Sequence, residues 1–260
     1  MKFLAFTFDD GRSDNYLLAK RIMDKYQFCG TVYITTGFID GTWENKDVLQ
    51  SPTRPLTVEE INGLHSSGWE IGLHGDKHKT QKDDMRTALD KLQSWGITNS
   101  CWGISVPNSS ASEKEINALL ESEYGKKIVY IRRGRKCNTA KFKNKVLYVL
   151  YSVLKSKLAY RYFNADNVFL YKHCNSSNVP SVVVKSNDRA DLIIDFIKTL
   201  PDNSVVVLML HSILSSDHSL CRKDSWSWDE KNFETFCSGL KKLVDNNDLQ
   251  VKTLMEIMKG

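Results

Sequence analysis

Apolar and polar positions change rhythm repeatedly along the 260 residues of this chain. Lys2 is followed by FLAFTF, a nearly continuous apolar run of the kind a strand shows when both its faces are covered. Residues 14–26 switch to helical spacing, with Leu17, Leu18, Ile22 and Met23 as the apolar positions. Residues 28–36 (FCGTVYITT) are β-branched and aromatic and predict a second strand. Residues 38–55 read as loop. Residues 57–66 predict a helix that opens on a capping box, with Thr57 as N-cap and Glu60 three residues on. Gly68 stops it, and residues 69–73 form a third strand. A helix near 80–94, a strand at 100–106, a helix at 111–123 and a short strand at 128–131 follow. Beyond a basic segment come short apolar runs at 167–171 and 181–185, a helix at 188–199 and the strand SVVVLML at 204–210. A helix at 233–244 and a short strand at 249–251 close the pattern. This alternation predicts an α/β fold with a parallel sheet, a β/α barrel or a variant of one. Without a Gly/Ser/Pro-rich divide, residues 1–260 read as a single domain.

Composition adds little until charge is mapped. Hydrophobic residues make up 41% and charged residues 26%, ordinary for a soluble globular protein. The N-terminal apolar run stops at Asp9 and Asp10, too short for a secretory signal, and no stretch nears the ~18 apolar residues of a spanning helix. The expected location is therefore the cytoplasm. The six cysteines are scattered without a CxxC pair, which favours free thiols. No GxGxxG or GxxxxGK[ST] pattern supports nucleotide binding. The formal charge of +5 is unevenly spread. Residues 125–165 hold twelve Lys or Arg and no Asp or Glu, so the rest of the chain is net acidic by seven charges.

Three polar groups fall just past the carboxyl ends of predicted strands, where β/α folds place their sites. They are Asp9 with Asp10, His74 with His78, and His211. Adjacent carboxylates repel in a confined site, and a divalent metal bound by one of them relieves the conflict. The other is then placed to take a proton from water. His74 and His78, four residues apart, converge on one ion if the segment is a helical turn. One carboxylate and two imidazoles leave coordination positions open, which suits a catalytic rather than a structural centre. His211, on another strand, is a candidate proton donor. Each group alone has a plainer reading: a turn, a surface pair, a core histidine. Their conjunction at three strand ends favours a site.

TFDDG at 7–11, TVYITTGFI at 31–39, LTVEEINGLHSSGWEIGLHGDKH at 56–78 and LMLH at 208–211 resemble the NodB-homology polysaccharide deacetylases, carbohydrate esterase family four. The resemblance is clear over residues 1–110 and again over 204–258. It implies a distorted (β/α) barrel of about seven parallel strands and the metal-dependent removal of acetyl groups from N-acetylated sugars. It implies Asp9 as general base, Asp10, His74 and His78 as metal ligands, and His211 as general acid. Zinc is the expected metal, and the ligand set also admits cobalt or nickel. In the family the tetrahedral oxyanion is held by the metal and by a backbone N–H that follows the proline of an Arg-x-Pro-aromatic motif. The corresponding stretch here is Ser105-Val106-Pro107-Asn108. Pro107 is kept and Asn108 is left to supply the N–H, but the arginine that orients the base is missing. Arg132, Arg133 and Arg135 are candidates to replace it. Asp188 and Asp191 are candidates for the aspartate that tunes the acid histidine. Asp76 reads as a surface group or a support for the ligands. Trp226 and Trp228 either line a sugar subsite, since indoles stack on sugar faces, or cover the barrel.

The basic segment is the part the resemblance does not reach. Within 141–163, Val146, Leu147, Leu150, Val153, Leu154 and Leu158 recur at helical spacing among Lys and Arg, with Tyr148, Tyr151, Tyr160 and Tyr162 as added aromatics. A helix near 146–160 either packs its apolar stripe on the barrel or meets an anionic membrane surface. A cytoplasmic deacetylase of surface-polysaccharide biosynthesis would find its N-acetylated saccharide on a nucleotide or a lipid, and a basic patch attracts the phosphate of either. No motif points to nucleic acid. Other readings are a deformylase or another amide hydrolase on the same site, or a non-catalytic glycan-binding protein.

Overall fold

The computed structural model describes residues 1–43, 51–134 and 142–260. FLAFTF forms strand β1 (Lys2–Phe8), buried along its whole length after Lys2. A π-helical turn, Asn15–Lys20, runs into the short helix α1 (Arg21–Asp24), so the first predicted helix is distorted at its start. β2 (Thr31–Ile34) is followed at once by α2 (Thr36–Ile39), which occupies part of the expected loop. Residues 44–50 of that loop lie outside the described residues. Next come α3 (Val58–Ser66), β3 (Glu70–Leu73), α4 (Lys82–Ser94), β4 (Trp102–Ser105), α5 (Glu113–Leu120) and β5 (Ile128–Arg132). The capping box of α3 is present with both reciprocal bonds between Thr57 and Glu60, as predicted.

The second half adds α6 (Phe142–Ser152), α7 (Lys157–Asn164), β6 (Val168–Leu170), β7 (Val182–Val183), α8 (Ala190–Thr199) and β8 (Ser204–Leu210). A small two-stranded ribbon, β9 (Ser212–Leu214) with β10 (Ser227–Asp229), precedes α9 (Glu230–Asp245), β11 (Leu249–Val251) and α10 (Leu254–Lys259). The predicted basic helix is two helices. The chain breaks between them at 153–156, where Lys155 takes a positive φ of 54°.

The main sheet runs β5-β4-β3-β2-β1-β8 in parallel, and β7 pairs in parallel with the end of β8. Val179, just before β7, receives β5: its N–H donates to the carbonyl of Ile131 (2.9 Å) and its carbonyl accepts from Arg133 (2.8 Å). Seven parallel strands thus curl into the barrel that was expected. β6 departs from the pattern and runs antiparallel to the first half of β8, with Val168 opposite Val206. β11 lies against the start of β1. Packed aromatics fill the space between sheet and helices, with Phe6 and Phe8 of β1 meeting Phe233 of α9 edge-on. The register sets Phe8 beside Leu210 and Ile34 beside Leu73. The residues after these strand ends therefore emerge side by side at one rim.

Candidate active site

At that rim, Asp10 (φ 77°) and Gly11 (φ 84°) take two left-handed conformations in a row. Glycine carries this freely, whereas an aspartate held there is strained, a common mark of a functional position. The loop that follows is locked to the loop after β8. Asn15 Nδ2 donates to the carbonyl of His211 (2.8 Å), and the N–H of Ile213 donates to Asp14 Oδ2 (2.7 Å). Arg12 bonds Asp10 Oδ2 through Nε (3.0 Å) and Nη2 (2.8 Å), and Ser212 Oγ through Nη1 (2.9 Å). Arg12 was not singled out from the sequence. Its only signal was its place directly after Asp-Asp-Gly.

The other oxygen of Asp10 completes a triangle. Asp10 Oδ1 lies 3.5 Å from His74 Nε2 and 3.6 Å from His78 Nε2, and the two imidazole nitrogens are 3.1 Å apart. Ligands about 2.05 Å from a tetrahedral zinc stand about 3.3 Å from one another, so these three donors fit such an ion. His74 Nδ1 is 2.9 Å from the carbonyl of Ser105, a bond that turns the ring so that Nε2 faces the other two donors. The histidines do not share a helical turn. His74 follows β3, and His78 sits in a tight loop opened by Gly75 (φ 81°). Asp84 holds this loop by accepting from the N–H groups of Lys77 (3.0 Å) and Lys79 (3.1 Å). Asp76 is buried and accepts from Thr36 Oγ1 and Lys91 Nζ (both 2.7 Å), so it supports the ligand loop. Burial, then the nearness of His74, pushes the pKa of His78 down to about 4. Burial also disfavours charge on His74, but the hydrogen bond to Asp10 and the two carboxylates outweigh it and hold its pKa above the usual value.

Asp9 points to the other half of the chemistry. Arg132, buried at the end of β5, contacts both of its oxygens, with Nη2 2.6 Å from Oδ2. Burial, the largest single effect, would raise the pKa of Asp9, but the Arg132 guanidinium together with His74 and His211 outweighs it, so Asp9 is held as a carboxylate. The same guanidinium touches Ser105, whose Oγ donates to Asp9 Oδ1 (3.3 Å). Ser105 stands where the resemblance implies an arginine, and here the positive charge enters from β5, one strand further along the sheet. Of the other candidates, Arg133 pairs with Glu113 (3.1 Å), and Arg135 lies outside the described residues.

Asp9, Asp10, His74, His78, His211 and Asn108 line one cavity of about 330 Å³, walled on one side by Arg12 and Trp226. Asn108 has a positive φ of 53°, and its N–H donates to no described residue, which leaves it free for a ligand. Pro107 is buried beneath that turn and shapes it without lining the cavity. Trp226 packs on the ring of His211 (4.6 Å between centroids), with Lys185 Nζ 4.7 Å from its own ring centre. Trp228 is instead a core residue. Its Nε1 donates to the carbonyl of Asp188 (2.8 Å), and it packs against Phe233 and Phe236, so it has no place in a sugar subsite. Burial lowers the pKa of His211 to about 4, and its Nδ1 has no hydrogen-bond partner among the described residues. Neither of the two candidate aspartates is bonded to that Nδ1. Asp191 pairs with Arg189 on the surface, and Asp188 Oδ2 accepts from the N–H of Lys185 (2.8 Å).

A family profile described as polysaccharide deacetylase matches residues 1–132. The chain belongs to the polysaccharide deacetylase family. A family 4 acetyl xylan esterase from Clostridium thermocellum, solved with a cobalt ion, aligns at 16% identity over 99% of this chain and 90% of its own, with a TM-score of 0.50. A peptidoglycan N-acetylglucosamine deacetylase aligns at 13% identity over 98% of this chain and 87% of its own, with a TM-score of 0.50. These likenesses establish the shared fold. A Streptococcus pyogenes deacetylase in complex with acetate aligns at 19% identity over 52% of this chain, with a TM-score of 0.42, and the match spans 58% of that protein. No curated protein matches the chain.

Proposed function

We propose that this member of the family is a metal-dependent N-deacetylase of N-acetylated sugars that works in surface-polysaccharide biosynthesis. One observation carries the reading: a carboxylate kept ionised by a buried arginine stands beside a three-donor triangle, on the wall of one cavity with a further histidine. A divalent ion held by Asp10, His74 and His78 would supply Lewis-acid activation, and zinc suits this borderline donor set best. Asp9 accepts the proton of the attacking water, and Arg132 keeps it aimed and charged for that task. The N–H of Asn108 donates to the oxygen that gains charge as the carbonyl becomes tetrahedral. His211, whose burial makes its protonated form a strong acid, delivers a proton to the departing nitrogen. Trp226 offers an apolar ring to the sugar face. The basic stretch at 125–165 supports a substrate that carries phosphate, whether on a nucleotide or a lipid, and the free thiols of Cys29, Cys101, Cys221 and Cys237 support a cytoplasmic setting.

The test is acetate release by protein loaded with zinc, cobalt or nickel, offered N-acetylglucosamine oligomers and a nucleotide-linked N-acetylhexosamine. The expected result is one acetate per new free amine. Release of formate from N-formyl analogues alone would replace this reading with a deformylase. Metal bound without any turnover would leave a glycan-binding protein.

A further inference from the structure

Helix α6 is apolar on two opposite faces. Leu147, Tyr148, Leu150 and Tyr151 pack inward, with Tyr151 wedged against Tyr160 (5.2 Å) and Phe163 (5.1 Å) of α7. At about 100° per residue, Phe142, Val146 and Val149 fall within roughly 60° of one another on the opposite side. That second stripe has no cover among the described residues: Phe142 is 81% exposed, and Val146 and Val149 are exposed beside it. The stripe continues across the break into Val153, Leu154, Leu158 and Tyr162, each at least 60% exposed. It then runs into an apolar groove of about 490 Å³ lined by Leu158, Tyr162, Phe169, Leu170 and Leu200. A soluble helix normally gives its second face to charge, and a contiguous exposed apolar surface of this extent marks an interaction site.

Charge selects the occupant. Residues 142–165 carry Lys143, Lys145, Lys155, Lys157 and Arg161 and no acidic residue. Lys157 and Arg161 both approach Asp195, and Lys155 donates to the carbonyl of Asn187. Lys143 and Lys145, one on each flank of the outer stripe, have no acidic partner among the described residues. We infer that the outer face of α6 and α7 docks on an anionic lipid bilayer. Apolar side chains enter the headgroup region and the lysines meet phosphate, as in an interfacial helix. A second copy of the chain fits poorly, because a self-complementary contact would set this cationic face against itself. The docking face also adjoins the cavity: Lys155 holds Asn187, and Lys185 of the same loop covers Trp226 at the cavity wall. The inference is independent of the chemistry proposed for the site, since it concerns only where the protein sits.

Co-sedimentation of the whole protein with vesicles tests it, using phosphatidylcholine alone and phosphatidylcholine with a quarter phosphatidylglycerol. The wild type is expected to pellet with the anionic vesicles and stay in solution with the neutral ones, and raised salt is expected to release it. Lys143→Gln with Lys145→Gln should weaken partitioning about thirtyfold. Leu154→Ser with Leu158→Ser should abolish it, while far-UV circular dichroism and turnover of a soluble substrate stay unchanged. The proposal is overturned if the wild type ignores anionic vesicles, or if both double variants still pellet with them. It is equally overturned if the wild type is a dimer that the Leu154/Leu158 variant converts to monomers without any vesicle binding.

Discussion

At the strand ends, charge is buried and each ion has a counter-ion: Arg132 for Asp9, Arg12 for Asp10. On α6 and α7 the reverse holds, with apolar side chains in solvent and Lys143 and Lys145 without acidic partners among the described residues. Both regions break the ordinary partition of a globular protein, in opposite directions. Burying ions costs more than an apolar isostere would, and exposing leucine forgoes the stabilisation of burial. The cavity uses its buried charge to fix protonation states and donor positions. The helix pair uses its exposed apolar face, on the inference above, to meet something outside the molecule. The comparison predicts that substitutions in the first region destroy chemistry, whereas those on the outer face of the second change only location.

The largest effects belong to the cavity. His74→Ala removes one donor of the triangle, so bound metal should fall from about one per chain to a trace and turnover with it. Asp9→Ala should cut acetate release by roughly 10²–10⁴-fold, the usual range for a lost general base, while metal analysis still finds the ion. Equal metal loss in both variants would mean that base and ligand roles are not divided between the two aspartates. Chelation should silence the wild type and added zinc restore it.

Arg132 comes next. Arg132→Ala leaves the buried Asp9 without its partner, a change that costs about 3–5 kcal/mol in comparable pairs. Denaturant melts should show it alongside the loss of activity. A sharper experiment moves the charge back: Ser105→Arg together with Arg132→Ser restores the family's arrangement. It should recover a substantial part of the activity that Arg132→Ser alone loses. No recovery would show that the guanidinium must enter from β5 in this protein.

That exchange also shows where reading the sequence stopped. β1, β8 and the capped helix α3 were legible because continuous apolar runs and a Thr-x-x-Glu start carry their own structure. The convergence of Asp10, His74 and His78 was legible through motif and strand-end position. The partnership of Arg132 with Asp9 was legible only as one of three candidates, because it spans 123 residues and depends on which strands are neighbours. Arg12 was missed because its bond to Asp10 depends on two successive left-handed residues, which no periodicity reports. β6 is three residues long, and so short a run carries no direction, hence its antiparallel pairing was unforeseen. Trp226 and Trp228 are two apart, yet β10 begins between them, so the alternation rule does not relate their faces. The break at 153–156 falls where no glycine or proline announces it.

The smallest effects on turnover are expected at α6, where the two faces of one helix are tested against each other. Tyr151→Ala, on the inner face of α6, opens a hole among Tyr148, Tyr160 and Phe163 and should cost about 3–5 kcal/mol, as other buried aromatic truncations do. Val149→Ser, two residues away on the outer face, should stay within about 0.5 kcal/mol of the wild type, because its side chain is already in water. Thermal melts of both variants, beside turnover of a soluble substrate, read the difference directly. If Val149→Ser destabilised the chain as Tyr151→Ala does, the outer stripe would be packed in solution and the contrast between the regions would collapse. If it left stability and soluble turnover alone while weakening vesicle binding, the exposed stripe would have a purpose outside the fold.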